Sequence, residues 1–168
     1  MALITGTAFA DLLRGTNRAD NIFGYGGNDT LIGRDGNDLV DAGSGKDEVL
    51  GGFGNDIVYG RGGNGTDILK GNQGNDWLDG GDGDDLLRGG GGRDIFEFET
   101  RSGHDIVADF TDGRDLLDVS DFDFRGAGQV LRDAAQIGGD VILDLDRHTS
   151  VTLLETDLAD LGRADFLV

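Results

Sequence analysis

From Gly6 to Glu97 an apolar side chain returns every nine residues: Leu13, Ile22, Leu31, Val40, Val49 and Val58, then, after one longer step, Leu69, Leu78, Leu87 and Phe96. Two residues before each stands an aspartate: Asp11, Asp20, Asp29, Asp38, Asp47, Asp56, Asp67, Asp76, Asp85 and Asp94. Nine residues cannot hold both a helix and a strand. The residues after each aspartate, such as Ile57-Val58-Tyr59, favour strand through β-branching and aromaticity. The pattern therefore predicts a three-residue strand after a six-residue turn, repeated ten times. Such short-period self-similarity is the mark of a solenoid.

With nine slots numbered so that the aspartate is sixth and the core residue eighth, glycine favours slots one, two and four, as in Gly51-Gly52-Phe53-Gly54 and Gly80-Gly81-Asp82-Gly83. Glycine loses most freedom on folding, so these turns need unusual backbone angles or admit something close. The first two units are poorer, with Phe9 and Arg18 in slot four, as a terminal cap without a neighbour would be. A step of eleven between Asp56 and Asp67 places a two-residue insertion near Asn64 to Thr66. An equal step leads from Asp94 to Asp105, where Gly103, Asp105 and Val107 make an eleventh unit.

Two units then close one coil of about 18 residues, with neighbouring strands about 4.8 Å apart. Slot-eight side chains point inward from two parallel sheets, and the aspartate turns stack along both edges. At that spacing adjacent carboxylates repel by about 0.9 kcal/mol in water and about 3.5 at an effective dielectric of 20. Bare rows oppose the fold; a hard divalent cation between turns reverses the sign, with glycine carbonyls completing an oxygen shell.

Composition narrows the cation and the partners. Of 33 acidic residues only Glu48, Glu97, Glu99 and Glu155 are glutamate, and the net charge is −19. Nucleic acid and anionic membrane surfaces are thereby poor partners. Calcium tolerates a flexible oxygen cage, magnesium prefers octahedral geometry, and zinc lacks its usual ligands in a chain with no Cys and only His104 and His148. No segment reaches the length of a membrane span, and the N-terminal stretch MALITGTAFADLLRG suggests neither a cleavable signal peptide nor an anchor. HExxH and GxSxG are missing and there is no Cys nucleophile, so no enzyme is expected; the two histidines are read as exposed turn residues.

The GGxGxDxUx units resemble the RTX, or hemolysin-type, calcium-binding repeat. The resemblance implies an all-β, right-handed parallel β-roll over residues 1–107, with a β-rich cap and a type I secretion region in 108–168. It implies that each ion lies between same-edge turns, held by both aspartates and by carbonyls of slots two and four of one and one and three of the other. Gly52, Gly54 and Asp56 would face Gly71, Gln73 and Asp76; Asn72, Gly74 and Asp76 would face Gly89, Gly91 and Asp94. Across the roll this adds Gly27, Gly33, Gly36, Gly43, Gly45, Gly51, Phe53, Gly60, Gly62, Gly63, Gly80, Gly81, Asp82, Gly83, Gly90 and Gly92 to the aspartates. Four gaps on each edge imply about eight Ca2+, which bring about +16 against the chain's −19. Asp105 extends the set, and Asp109, Asp112 and Asp115 are candidates for a last ion, Asp109 first, beside the alternative of a solvated turn.

Slot seven of even units holds Leu39, Ile57, Trp77 and Ile95, and slot nine Phe23 and Tyr59; this apolar strip is read as covered by the C-terminal segment, the alternative being a docking surface. Beyond Val107, residues 129–136 suggest a short helix, and Asp140 to Leu145 with Ser150 to Glu155 a hairpin. Two functions follow. One is a secreted, extracellular module that folds on calcium after type I export, with the secretion apparatus and an N-terminal passenger domain as partners. The other is a polysaccharide-binding module, resembling the accessory modules of alginate epimerases, with Arg14, Lys70, Arg88, Arg34 and Arg61 meeting a polyuronate.

Overall fold

A computed structural model describes residues 1–62 and 65–168. The chain winds between two sheets. One receives β1 (Leu3–Thr5), β3 (Asn21–Phe23), β5 (Leu39–Asp41), β7 (Ile57–Tyr59), β9 (Trp77–Asp79), β11 (Ile95–Glu97) and β13 (Leu116–Asp118). The other receives β2 (Leu12–Arg14), β4 (Thr30–Asp35), β6 (Glu48–Phe53), β8 (Ile68–Gln73), β10 (Leu86–Gly91) and β12 (His104–Val107). Every pairing within these two sets is parallel, as in Ile57 beside Trp77 and Val49 beside Leu69. The chain is an all-β parallel roll, as the nine-residue period requires.

The core follows from slot eight. Ile22, Val40, Val58, Leu78 and Phe96 on one sheet, and Leu31, Val49, Leu69 and Leu87 on the other, are fully buried. Their stacking makes one continuous apolar column, so truncation anywhere along it leaves a cavity that rigid neighbours cannot fill. Leu78→Ala is expected to cost about 2–5 kcal/mol, read as a lower urea midpoint in saturating calcium.

Three details differ from expectation. β4, β6, β8 and β10 run six residues, because pairing continues through slots one to three of the following unit, as in Gly90 beside Asn72. The helix α1 covers only Ala127–Val130, and β14 (Ala135–Ile137) replaces its second half. Helix preference there is weak, and the edge of β15 (Asp140–Asp144) offers Ala135 to Ile137 antiparallel hydrogen bonds instead. Nor does the C-terminal segment cover the apolar strip. β17 (Phe166–Leu167) stacks beside β13 at the end of the sheet, and Ile57 stays 41% exposed.

The end of the second sheet is closed by β16 (Ser150–Leu153), parallel to β12 and antiparallel to β15, the hairpin read from the sequence. β16 sets Val151 beside Asp105, so an apolar residue stands where the next aspartate of that edge would be. The parallel stack therefore passes residue 107 on both sheets before it closes.

Candidate metal centre

Each aspartate of the repeat is aimed back along the roll. The Oδ1 of Asp29, Asp47, Asp67, Asp85 and Asp105 accepts the backbone N–H of the previous aspartate on that edge at 2.7–3.0 Å. Asp38, Asp56, Asp76, Asp94 and Asp115 do the same on the other edge at 2.8–3.1 Å. Two ladders result, with one carboxylate per coil. Every step but those across an insertion spans 18 residues, which is why the period of nine sets one ladder per edge.

The second oxygen is different. In Asp29, Asp38, Asp47, Asp56, Asp76, Asp85 and Asp94, Oδ2 is buried with no hydrogen-bond partner among the described residues. A buried carboxylate oxygen left unpaired costs several kcal/mol, so seven in two rows fit sites for a cation. The surroundings fit one. A Cβ on Gly24 would lie 2.5 Å from Asp29 Oδ2 and collide with the Ala42 carbonyl, so carboxylate and next-coil carbonyl converge on one point. Gly33 stands in the same relation to Asp38 Oδ2 and the Gly51 carbonyl, and Gly60 to Asp67 Oδ2 and the Gly80 carbonyl.

Slot-four glycines bring the coils into contact. Gly54 and Gly74 have φ of 125° and 137°, and a Cβ on either would strike the carbonyl of Gly36 or Gly54 in the preceding coil. Slot-three carbonyls of Phe53, Gln73 and Gly91 each accept one N–H, from Gly36, Gly54 and Gly74, and keep a second lone pair. Among the described residues no group of three or more His, Cys, Asp or Glu gathers. The donors at any one gap are thus mainly carbonyls with two carboxylates, a hard oxygen set suited to calcium and foreign to zinc.

Burial raises the carboxylates' pKa values without an ion. Asp76 and Asp85 are pushed up to about 7, chiefly by burial and then by the neighbouring charges of Asp56 and Asp67 respectively. Asp56, Asp67 and Asp94 reach about 6 and Asp105 about 8, with burial again the largest cause. Asp20 goes the other way. Its pKa is lowered, first by the Thr16 hydroxyl and then by the Thr16 N–H.

The sequence-derived residues are not all alike. Gly63 lies outside the described residues, as does Asn64 of the expected insertion. The slot-four place of that unit belongs to Gly65, which bridges to Gly83 and whose Cβ would strike the Gly45 carbonyl. Asp109 stands off both ladders, its carboxylate accepting the N–H groups of Gly89 and Gly90 at 3.0 Å. The ladder continues through Asp115 instead, a signal obscured by a step of 21 residues. His104 begins β12 with its ring held by Ser150 at 2.8 Å, and His148 is an exposed turn residue.

The family described as the RTX calcium-binding nonapeptide repeat (4 copies) matches residues 5–40, 32–66 and 61–96, more than half of the chain. The chain belongs to the RTX calcium-binding repeat family. Its β-roll therefore binds Ca2+, and such a roll is a structural calcium-binding module rather than a catalytic fold.

No curated protein gives a significant match. Among 36 solved chains that match this RTX chain are extracellular lipase LipA from Serratia marcescens and the AlgE6R3 subunit of the Azotobacter vinelandii mannuronan C5-epimerase. The lipase is 22% identical with a TM-score of 0.49, covering 92% of this chain and 39% of its own. This chain thus spans about two fifths of that lipase. The epimerase subunit is 22% identical with a TM-score of 0.40, covering 96% of this chain and 80% of its own.

Proposed function

We propose that this chain is a calcium-driven folding module of a secreted protein, expanded where calcium is scarce and wound into its roll outside the cell by about eight ions. The observation that carries the reading is the row of buried, unpartnered Oδ2 atoms. Magnitudes agree with it. A ligand that binds only the folded form adds about 2.7 kcal/mol per site at a hundredfold excess over Kd. Summed over about eight sites this gives about 20 kcal/mol, above the 5–15 kcal/mol net stability of ordinary domains. Binding energy on that scale decides whether the roll exists.

Residues 108–168, which cap the roll, would serve the type I secretion apparatus, and no catalytic role is assigned. Among the described residues no helix is long and apolar enough to cross a membrane. The polysaccharide reading loses support at its bases. Lys70 is held by Glu48 at 2.8 Å, and Arg61 lies 4.1 Å from the Tyr59 ring centre and 3.7 Å from Asp41.

Calcium titration of the chelated chain, followed by circular dichroism and native mass spectrometry, is the direct test. A cooperative gain of β signal with about eight bound ions is expected. A spectrum already fully β in chelator would overturn the proposal.

A further inference from the structure

Slot two separates two kinds of turn. In the inner coils its residue is left-handed whatever its identity: Tyr25, Arg34 and Asn72 have φ of 71°, 85° and 79°, and Gly43, Gly52 and Gly90 have 91°, 125° and 100°. A left-handed residue with a side chain costs about 1–3 kcal/mol unless something holds it there. In these turns the Oδ2 four residues on is the one left without a partner, as in Arg34 with Asp38 and Asn72 with Asp76.

Three turns at the ends of the ladders depart from this together. Slot two is threonine in each, Thr7, Thr16 and Thr111, and none of the three has a positive φ. Their N–H groups instead donate to the Oδ2 of Asp11, Asp20 and Asp115 at 2.7, 2.7 and 2.9 Å. The hydroxyls of Thr7 and Thr16 add a second bond to the same oxygen at 2.8 and 2.7 Å. A β-branched residue resists the left-handed region, so threonine selects the turn whose N–H points at the carboxylate.

We infer that slot-two threonine is a lock that closes a turn without an ion, so the calcium ladders begin at Asp29 and Asp38 rather than at Asp11 and Asp20. The lock supplies protein donors where the inner turns leave an oxygen for the cation. The first two turns and the last thus form ion-independent caps on an ion-bound middle. The inference rests on the calcium reading above and moves the ions along the roll: the gaps after Asp11 and Asp20 are removed, and those after Asp85 and Asp94, whose Oδ2 atoms are unpartnered, are gained.

Two single substitutions test it in opposite directions, with ions counted by native mass spectrometry at saturating calcium. Thr16→Gly frees Asp20 Oδ2 and permits a left-handed slot two, so one ion more than in the unaltered chain is expected. Arg34→Thr extends the lock to Asp38, and one ion fewer is expected; Arg34 already carries a Cβ, so no new clash arises. Circular dichroism of both variants in calcium should show the same roll. Counts unchanged in both variants, beside an unaltered chain that binds calcium, would overturn the lock alone. An unaltered chain that takes up no calcium would instead sink the proposed function.

Discussion

Gly74→Ala is expected to destabilise the centre of the roll by at least about 3 kcal/mol even in saturating calcium. The residue has a φ of 137°, which an L side chain rarely adopts, and that strain alone costs about 1–3 kcal/mol. The added methyl would also occupy the position of the Gly54 carbonyl in the coil before. Relief requires the two coils to part. Parting them lengthens the bond from Gly54 N–H to the Gln73 carbonyl, 2.8 Å. It also misaligns the carbonyls on either side of Asp76. Gly139→Ala is the control, since nothing lies within 4 Å of a Cβ there and no left-handed angle is needed. Urea unfolding followed through Trp77, whose Nε1 is held by Glu97 at 2.7 Å, should show a lower midpoint for the first variant and none for the second. Equal midpoints would mean that the coils are not in contact through slot four.

The inner roll is legible because a solenoid turns sequence offset into spatial neighbourhood. Once Val40 and Val58 are read as one slot, their pairing follows, and the structure sets Val40 beside Val58. The same offset puts Asp38 below Asp56, so both ladders can be written down from residue numbers. Legibility ends where the offset does. Asp115 belongs to the ladder at a step of 21, whereas the regular step of 18 from Asp94 lands on Asp112. Gly65 takes slot four of its unit only because two extra residues precede it in the turn. In the sequence Thr7 and Thr16 depart from slot-two glycine no more than Tyr25 and Arg34 do; only their hydrogen bonds to Asp11 and Asp20 show that they replace something. The exposure of Ile57 on the apolar strip has another cause. Slots seven and nine face outward, and the C-terminal strand takes the free edge of the sheet, where backbone groups need partners, before it can cover a face.

Acidifying the calcium-free chain from about pH 8 to about pH 5 is expected to return much of its β signal. Burial holds Asp76 and Asp85 at about 7, Asp56, Asp67 and Asp94 at about 6, and Asp105 at about 8, each above the ordinary 3.8 of the unfolded chain. Between those values the folded chain carries more protons than the unfolded one, so stability falls as pH rises through the window and is recovered below it. Protonation neutralises the ladder charges much as calcium does, though it supplies no bond to the facing carbonyls, so the acid form should be less stable than the calcium form. The two routes compete for the same oxygens. Half-saturation should therefore need more calcium as pH drops below about 7, while the loaded roll keeps its spectrum from about pH 6 to 8. Asp76→Asn removes one charge from the middle of a ladder and should shift the acid transition of the chelated chain to higher pH while lowering the ion count. Circular dichroism in chelator across this range decides the matter: a chain that stays equally disordered at about pH 5 would show that charge repulsion along the ladders is not what keeps it open.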